Sequence, residues 1–98
     1  MMSIKTTKWD VAEYLKTAED VAAYIEAAFE DGDPVIIKNA LGAAARARGM
    51  TVVAKDAGVT REALYKALSE TGDPRLSTLL GVMKALGVQL TAKSGKAA

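Results

Sequence analysis

Six polar side chains between residues 60 and 69 have types and spacing that suit hydrogen bonding to a ligand. They are Thr60, Arg61, Glu62, Tyr65, Lys66 and Ser69. If the segment is a helix, Leu64 and Leu68 occupy its inner face and the polar residues point outward. Arginine can bind guanine in bidentate fashion, glutamate can accept from cytosine, and threonine or serine can donate to phosphate. The segment therefore suits the major groove of DNA.

Each of these side chains also has an interpretation that involves no DNA. Arg61 and Lys66 are the best candidates for DNA contacts, because both are long and cationic, but solvated helix surface is the alternative. Thr60 is expected to cap the helix as well as to contact phosphate. Tyr65 could stack or reach a phosphate, or it could pack on a neighbouring helix. Glu62 could read cytosine or pair with Lys66, four residues further on.

The composition argues against catalysis and metal binding. The chain has no cysteine and no histidine, which removes thiolate nucleophiles, sulfur-ligated metals and the commonest general base. Four carboxylates are close in sequence, at Glu26, Glu30, Asp31 and Asp33. They lack the ligand order of a calcium loop, and the position of Asp33 before Pro34 already explains it as a helix cap. We therefore expect no enzyme, no metal and no cofactor.

The charges are divided unevenly along the chain. Residues 1–33 hold three Lys against eight Asp or Glu, a net charge of −5. Residues 34–98 hold ten Lys or Arg against four Asp or Glu, a net charge of +6. This division predicts an acidic face and a basic face with different partners, and nucleic acid is the usual partner of a basic face. Chance clustering of solvated charges is the alternative.

The length of 98 residues is that of one domain. Within it we expect acidic helices at 1–33, a helical core at 34–87, a strand at 88–93 and a tail at 94–98. A chain this short buries only about 60 to 65% of its unfolded surface, so either marginal stability or a stabilising partner chain is expected. The sequence lacks 18 consecutive apolar residues and a start of signal-peptide type, which predicts a cytoplasmic protein away from membranes.

Three helices are predicted before residue 50. They are expected at 11–15, 18–30 and 34–48, after the cap residues Asp10, Thr17 and Asp33. Pro34 suits the first position of the third helix, because its missing N–H group has no partner there in any case. Gly49 is expected to end this helix.

Residues 50–68 are predicted to form a helix, a tight turn and a second helix. Thr51 and Thr60 open the two helices, and each hydroxyl can accept a hydrogen bond from a free N–H of the turn that follows. Ala54 would let the helices approach closely, and Gly58 can take the positive φ of the turn. We include Thr51 among the predicted DNA-binding residues because it opens this motif.

The last predicted helix follows a loop at 71–74. Its apolar stripe consists of Leu76, Leu79, Leu80, Met83 and Leu86, and Gly87 closes it. Gly81 within the stripe costs about 1 kcal/mol relative to alanine. The helix must therefore gain its stability from packing.

A short strand is predicted after this helix. Val88, Leu90 and Ala92 alternate with polar residues, which is typical of a half-buried strand. A single strand needs a partner strand. A second copy of the chain is the simplest source, so we expect a homodimer, although a strand from another protein would also serve.

The apolar spacing of residues 50–68 resembles the helix-turn-helix of the phage-repressor (Xre-like) class, and the wider chain resembles the HigA-like addiction-module antidote proteins. The segments that carry the wider resemblance are WDVAEYL, EDGDP, REALYKALS and GDPRLSTLLGVMKALG. The resemblance implies an all-α, lambda-repressor-like domain of about five helices, with an N-terminal helical extension. Relatives often carry Gln after the threonine that opens the motif, whereas here Thr51 is followed by Val52, which changes the expected operator preference.

The resemblance also implies a function. HigA-like proteins are antitoxins of type II toxin–antitoxin pairs: they bind operator DNA as dimers, repress their own operon and neutralise a small basic toxin of the RelE/ParE superfamily (HigB-like). The acidic residues of 1–33 could steer such a toxin, although docking on the helix-turn-helix or the strand is the alternative. Two other functions stay open: a stand-alone phage-type repressor, and a protein-interaction module without DNA binding.

Overall fold

The chain folds into helices in a computed structural model that describes residues 10–95. A 3₁₀ helix is followed by five α-helices: 3₁₀ Val11–Tyr14, α1 Ala18–Asp31, α2 Pro34–Arg48, α3 Met50–Ala57, α4 Arg61–Ala67 and α5 Leu76–Ala85. The all-helical prediction is confirmed for this range, which contains no strand. None of these helices is long and apolar enough to cross a membrane.

Side-chain caps fix where the first helices begin, as predicted. Asp10 accepts a hydrogen bond from the N–H of Ala12 at 3.1 Å. Thr17 accepts from the N–H of Asp20 at 3.0 Å, and the Asp20 carboxylate accepts from the N–H of Thr17 at 3.1 Å, which completes a capping box. Asp33 accepts from the N–H of Val35 at 2.8 Å and caps α2. These local hydrogen bonds satisfy N–H groups that a helix start leaves unpaired.

The core lies between α2, α3, α4 and α5. Its largest fully buried side chains are Leu41, Val53, Leu64 and Val82, one from each of these helices. Ile25 joins the core from α1, so the acidic helix is anchored on the same apolar cluster. Truncating any of these leucines to alanine would cost about 2–5 kcal/mol.

Gly81 allows α5 to lie directly against α3, its most extensive packing partner. A Cβ atom on Gly81 would lie 2.9 Å from the Cα of Ala57 and 3.2 Å from its Cβ. The predicted cost of a glycine within α5 is therefore offset by the close approach of two backbones.

A lysine holds the loop between α4 and α5. The Lys38 ammonium, on α2, donates to the carbonyl oxygen of Glu70 at 2.9 Å and to that of Gly72 at 2.6 Å. Two carbonyl groups of an irregular segment thereby gain partners, and the start of α5 is fixed relative to α2.

The predicted apolar stripe of α5 is partly wrong. Met83 and Leu86 are buried and Leu79 packs against the core, but Leu76 is 65% exposed and Leu80 is 44% exposed. Val82 is completely buried instead. The reason is the direction from which α3 meets α5: Ala57 of α3 lies against Gly81, so the buried face of α5 is centred near Val82 and includes Ala85. Positions 76 and 80 lie away from this face.

The predicted strand at 88–93 is also wrong. The N–H of Val88 donates to the carbonyl oxygen of Met83 at 3.0 Å, which ends α5, and the Val88 side chain packs against the core. Residues 89–95 have no regular secondary structure. A single copy of the chain offers this segment no second strand, so the alternating pattern alone forms no ladder.

Candidate nucleic-acid interface

The chain makes a tight turn between α3 and α4. Gly58 adopts the left-handed conformation with φ +77°, as predicted, and its N–H donates to the carbonyl oxygen of Lys55 at 3.1 Å. The N–H of Val59 donates to the carbonyl oxygen of Ala54 at 3.0 Å. These bonds end α3 and turn the chain so that the buried Leu64 anchors α4 on the core.

Thr60 caps α4, as predicted. Its hydroxyl oxygen accepts a hydrogen bond from the N–H of Ala63 at 3.0 Å. The hydroxyl proton takes no part in this bond. Thr60 can therefore cap the helix and still donate a hydrogen bond to an outside acceptor.

The prediction that Thr51 caps α3 is wrong. The helix begins one residue earlier, at Met50, and Gly49 is both the C-cap residue of α2 and the N-cap residue of α3. Gly49 is the single residue between the two helices, so Thr51 lies within the first turn of α3, with its side chain exposed. It remains on the surface of the motif.

Arg61 and Tyr65 form a pair on the exposed face of α4. The guanidinium Cζ lies 5.3 Å from the centre of the tyrosine ring, and Nη2 is 3.4 Å from the phenol oxygen. A cation over an aromatic face at an exposed site contributes about 0.5–1 kcal/mol. Tyr65 therefore orients the arginine along the helix rather than packing into a neighbouring helix.

Glu62 and Lys66 are both exposed on α4 and are not joined by an ion pair. Glu62 lies in the first turn and Lys66 in the last, where the helix dipole favours a negative and a positive charge respectively. Both charged groups are accordingly open to an outside partner.

Ser69 lies beyond the end of α4 and is half-buried. Its hydroxyl donates to the carbonyl oxygen of Lys66 at 2.7 Å. Because this proton already bonds within the chain, the Ser69 hydroxyl can only accept a hydrogen bond from a ligand.

The structure adds Arg75 to this surface, which sequence reasoning missed. An open groove of about 560 Å³ runs between α4 and the start of α5, and Lys66, Arg75 and Thr78 are among the residues that line it. Arg75 is the N-cap residue of α5 and is exposed. The sequence does contain one indication of its exposure, because Arg75 directly follows Pro74 and precedes the apolar stripe of the last helix.

One cation close to the motif in sequence is already paired. Arg46 Nη2 donates to the Asp10 carboxylate at 2.8 Å, with the two side chains 43% and 39% exposed. This hydrogen bond, together with that from the N–H of Ala12, holds the pKa of Asp10 below its usual value. The pair fastens the 3₁₀ helix to α2.

The acidic residues of α1 form a separate surface. The helix carries five exposed carboxylates and no basic residue: Glu19, Asp20, Glu26, Glu30 and Asp31. None of them forms an ion pair with a residue that the structure describes. In the same part of the chain, no three acidic residues are grouped as a metal ion would require.

Comparison with known proteins identifies the family. Residues 5–94 match the family described as "Probable addiction module antidote protein". The chain belongs to this family. An uncharacterized protein of Haemophilus influenzae (strain ATCC 51907 / DSM 11121 / KW20 / Rd) is 41% identical over 95 residues, which cover 97% of this chain and 98% of that protein. No solved structure matches the chain.

An antidote of an addiction module acts on a toxin. Membership of the family therefore supports a role in a toxin–antitoxin pair and implies a toxin as a partner. The two surfaces of this antidote-family chain differ in the sign of their net charge: the α4 face carries Arg61 and Lys66 against Glu62, whereas every charged residue of α1 is acidic.

Proposed function

We propose that this chain is a HigA-like antitoxin with an Xre-like, lambda-repressor-like helix-turn-helix. It binds operator DNA as a dimer, represses its own operon in the cytoplasm and neutralises a small basic RelE/ParE-type (HigB-like) toxin by direct binding. The DNA-binding part of this proposal rests on the exposed face of α4. This helix is anchored by Leu64 and leaves Thr60, Arg61 and Lys66 exposed after a tight turn from α3.

The chemistry of α4 divides its contacts into two kinds. Arg61 is the candidate for base recognition, because a guanidinium can bind guanine in bidentate fashion and the Tyr65 ring already restricts its orientation. Glu62 is the candidate for accepting a hydrogen bond from cytosine. Lys66 and Arg75 border one groove and suit phosphate contacts, which fix position without reading sequence.

Thr51, Thr60 and Ser69 complete the proposed interface with smaller groups. The free hydroxyl proton of Thr60 and the exposed hydroxyl of Thr51 can donate to phosphate oxygens. The Ser69 oxygen can only accept, from a base amino group or a water molecule, because its proton bonds to the Lys66 carbonyl.

A single copy offers few cations to DNA. Since Arg46 is paired with Asp10, the motif has fewer free charges than its sequence suggests. Phosphate contacts dominate DNA affinity, so two copies on half-sites about one helical turn apart are needed for useful binding. The exposed pair Leu76 and Leu80, four residues apart on α5, is an apolar surface that favours such self-association.

The DNA-binding part is tested by removing two cations. The double variant Arg61→Ala with Lys66→Ala should bind DNA from upstream of this reading frame more weakly. Loss of the arginine should cost about 1–3 kcal/mol of binding free energy, and loss of the lysine should reduce the slope of log affinity against log salt concentration by about one. Gel shifts at several salt concentrations measure both effects. Lys84→Ala with Lys93→Ala is the control, because it removes the same charge from exposed positions away from α4.

An affinity within twofold of the control would refute the assignment of α4 as the recognition helix. Absence of salt-dependent DNA binding in the unaltered protein would instead favour an interaction module. The toxin part is tested by co-expression with the product of the adjacent reading frame: the two proteins should co-purify, and growth arrest by that product alone should be relieved.

A further inference from the structure

An open groove with an apolar floor lies between α1 and the segment that follows α5. Its volume is about 550 Å³. Ile25 and Phe29 of α1 line one side, Met83 of α5 lies at the base, and Val88 and Leu90 line the other side. Leu90 is 38% exposed, so apolar surface is open to solvent here in the free chain.

The border of this groove on α1 is anionic. Glu26 and Glu30 line it, both are exposed, and neither pairs with a cation in the described part of the chain. Lys93 is the cation on the opposite border. An occupant therefore meets apolar contacts on the floor and uncompensated negative charge along one edge.

The segment on the other side presents unused backbone groups. Within the described chain, the backbone from Gln89 to Gly95 makes no hydrogen bond to another backbone group. Residues 89–91 line the groove directly. A peptide segment lying in the groove could therefore pair with N–H and C=O groups as well as with side chains.

We propose that this groove is the docking site for the toxin, and that its occupant is a basic segment with apolar side chains. The proposal rests on the antitoxin function proposed above and names the surface that performs it. Apolar side chains would cover Phe29, Val88 and Leu90, while lysine or arginine would pair with Glu26 and Glu30.

The charges also select against other occupants. DNA is repelled, since its phosphates would face Glu26 and Glu30. A second copy docked groove to groove would bring the same charged lining, two glutamates and one lysine, so the combined borders would stay net negative. Toxin and DNA thus occupy surfaces of opposite sign on one chain.

The test is a charge reversal with a matched control. Glu26→Lys with Glu30→Lys should weaken binding of the purified protein encoded beside this chain by about tenfold or more, and should make association slower and less dependent on salt. Glu13→Lys with Glu19→Lys makes the same change in net charge at exposed positions outside the groove, and should stay within about twofold of the unaltered protein. Lys93→Glu should speed association.

A second pair of variants tests the apolar floor. Leu90→Ser should weaken the same binding by about tenfold, whereas Ile36→Ser, at an exposed residue on α2 outside the groove, should not. Melting temperatures close to that of the unaltered protein verify that each variant is folded.

The possible outcomes distinguish failure of the proposed docking site from failure of the proposed antitoxin function. If the neighbouring protein binds the unaltered chain but the groove variants match their controls, the groove is not the docking site and the antitoxin function stands. If it does not bind the unaltered chain at all, both proposals fail. If Leu90→Ser alters the sedimentation of the free protein, a second copy occupies the groove and the toxin assignment is wrong.

Discussion

The ion pair between Asp10 and Arg46 makes stability depend on pH in a defined direction. Because the pKa of Asp10 is lower in the folded chain, the stabilisation is complete above the ordinary carboxyl value of about 3.9 and is lost as pH falls through the lowered native value. Both side chains are more than one third exposed, so the contribution is about 0.2–1 kcal/mol.

Asp10→Asn isolates this charge, since asparagine can still cap the 3₁₀ helix. At pH 7 the variant should unfold at slightly lower urea concentration than the unaltered protein, and the difference should vanish below the native pKa. Glu13→Gln, at an exposed carboxylate of the same 3₁₀ helix, is the control. A difference that stays the same as pH falls through the acid range would exclude the ion pair as its cause.

The two threonines of the motif are expected to differ in their effect on stability. Thr60→Ala removes the hydroxyl that accepts from the N–H of Ala63, which should cost about 1 kcal/mol. Thr51→Ala removes no cap and places a better helix former within α3, so it should be neutral or slightly stabilising. Urea unfolding followed by circular dichroism measures both, and equal losses would contradict the observed start of α3.

At the scale of the elements, the contact between α3 and α5 depends on a missing side chain. Gly81→Ala should lower the free energy of unfolding by about 1–3 kcal/mol, because the new Cβ overlaps the backbone of Ala57. Gly42→Ala, in the interior of α2, is the matched control. Its Cβ would meet only the Arg46 side chain at 3.7 Å, so the higher helix propensity of alanine should stabilise by up to about 1 kcal/mol.

Both variants are compared by thermal and urea unfolding. Stabilisation by Gly81→Ala would show that α5 can move away from α3 without loss, and would argue against the tight packing described above.

Local features of the elements could be predicted from sequence, and features set by tertiary contacts could not. Thr17, Asp33 and Thr60 were identified as caps because each acts on N–H groups within three residues of it. The exposure of Leu76 and Leu80 depends on where α3 meets α5, which periodicity does not specify. The predicted strand required a partner strand that one chain does not supply.

The same division applies to the candidate site. The exposed positions of α4 follow from the spacing of Leu64 and Leu68, which are buried. Arg75 and Lys66 line one groove because of the path of the loop between α4 and α5, which no spacing rule gives. The groove beside α1 combines residues more than fifty positions apart, so the sequence indicated its acidic border but not its floor.

At the scale of the whole molecule, self-association is expected to depend on α5. Leu76→Ser with Leu80→Ser should shift sedimentation from dimer towards monomer and weaken operator binding, because both residues are apolar and exposed on one helix. Truncation after Gly87 tests the alternative that residues 88–93 pair across a dimer. If truncation abolishes the dimer and the leucine variants do not affect it, the dimer interface lies in residues 88–93 and not on α5.

The junction at Gly49 constrains the length of the chain as well as its composition. Since α2 ends and α3 begins at this one residue, an inserted residue has no loop to enter and must lengthen a helix. Each residue added to a helix turns everything beyond it by about 100° and advances it by about 1.5 Å. We therefore expect insertions and deletions at this junction to disrupt the packing of α3 and α4. Residues 89–95, which no backbone hydrogen bond holds in the described chain, are expected to vary in length without moving α4.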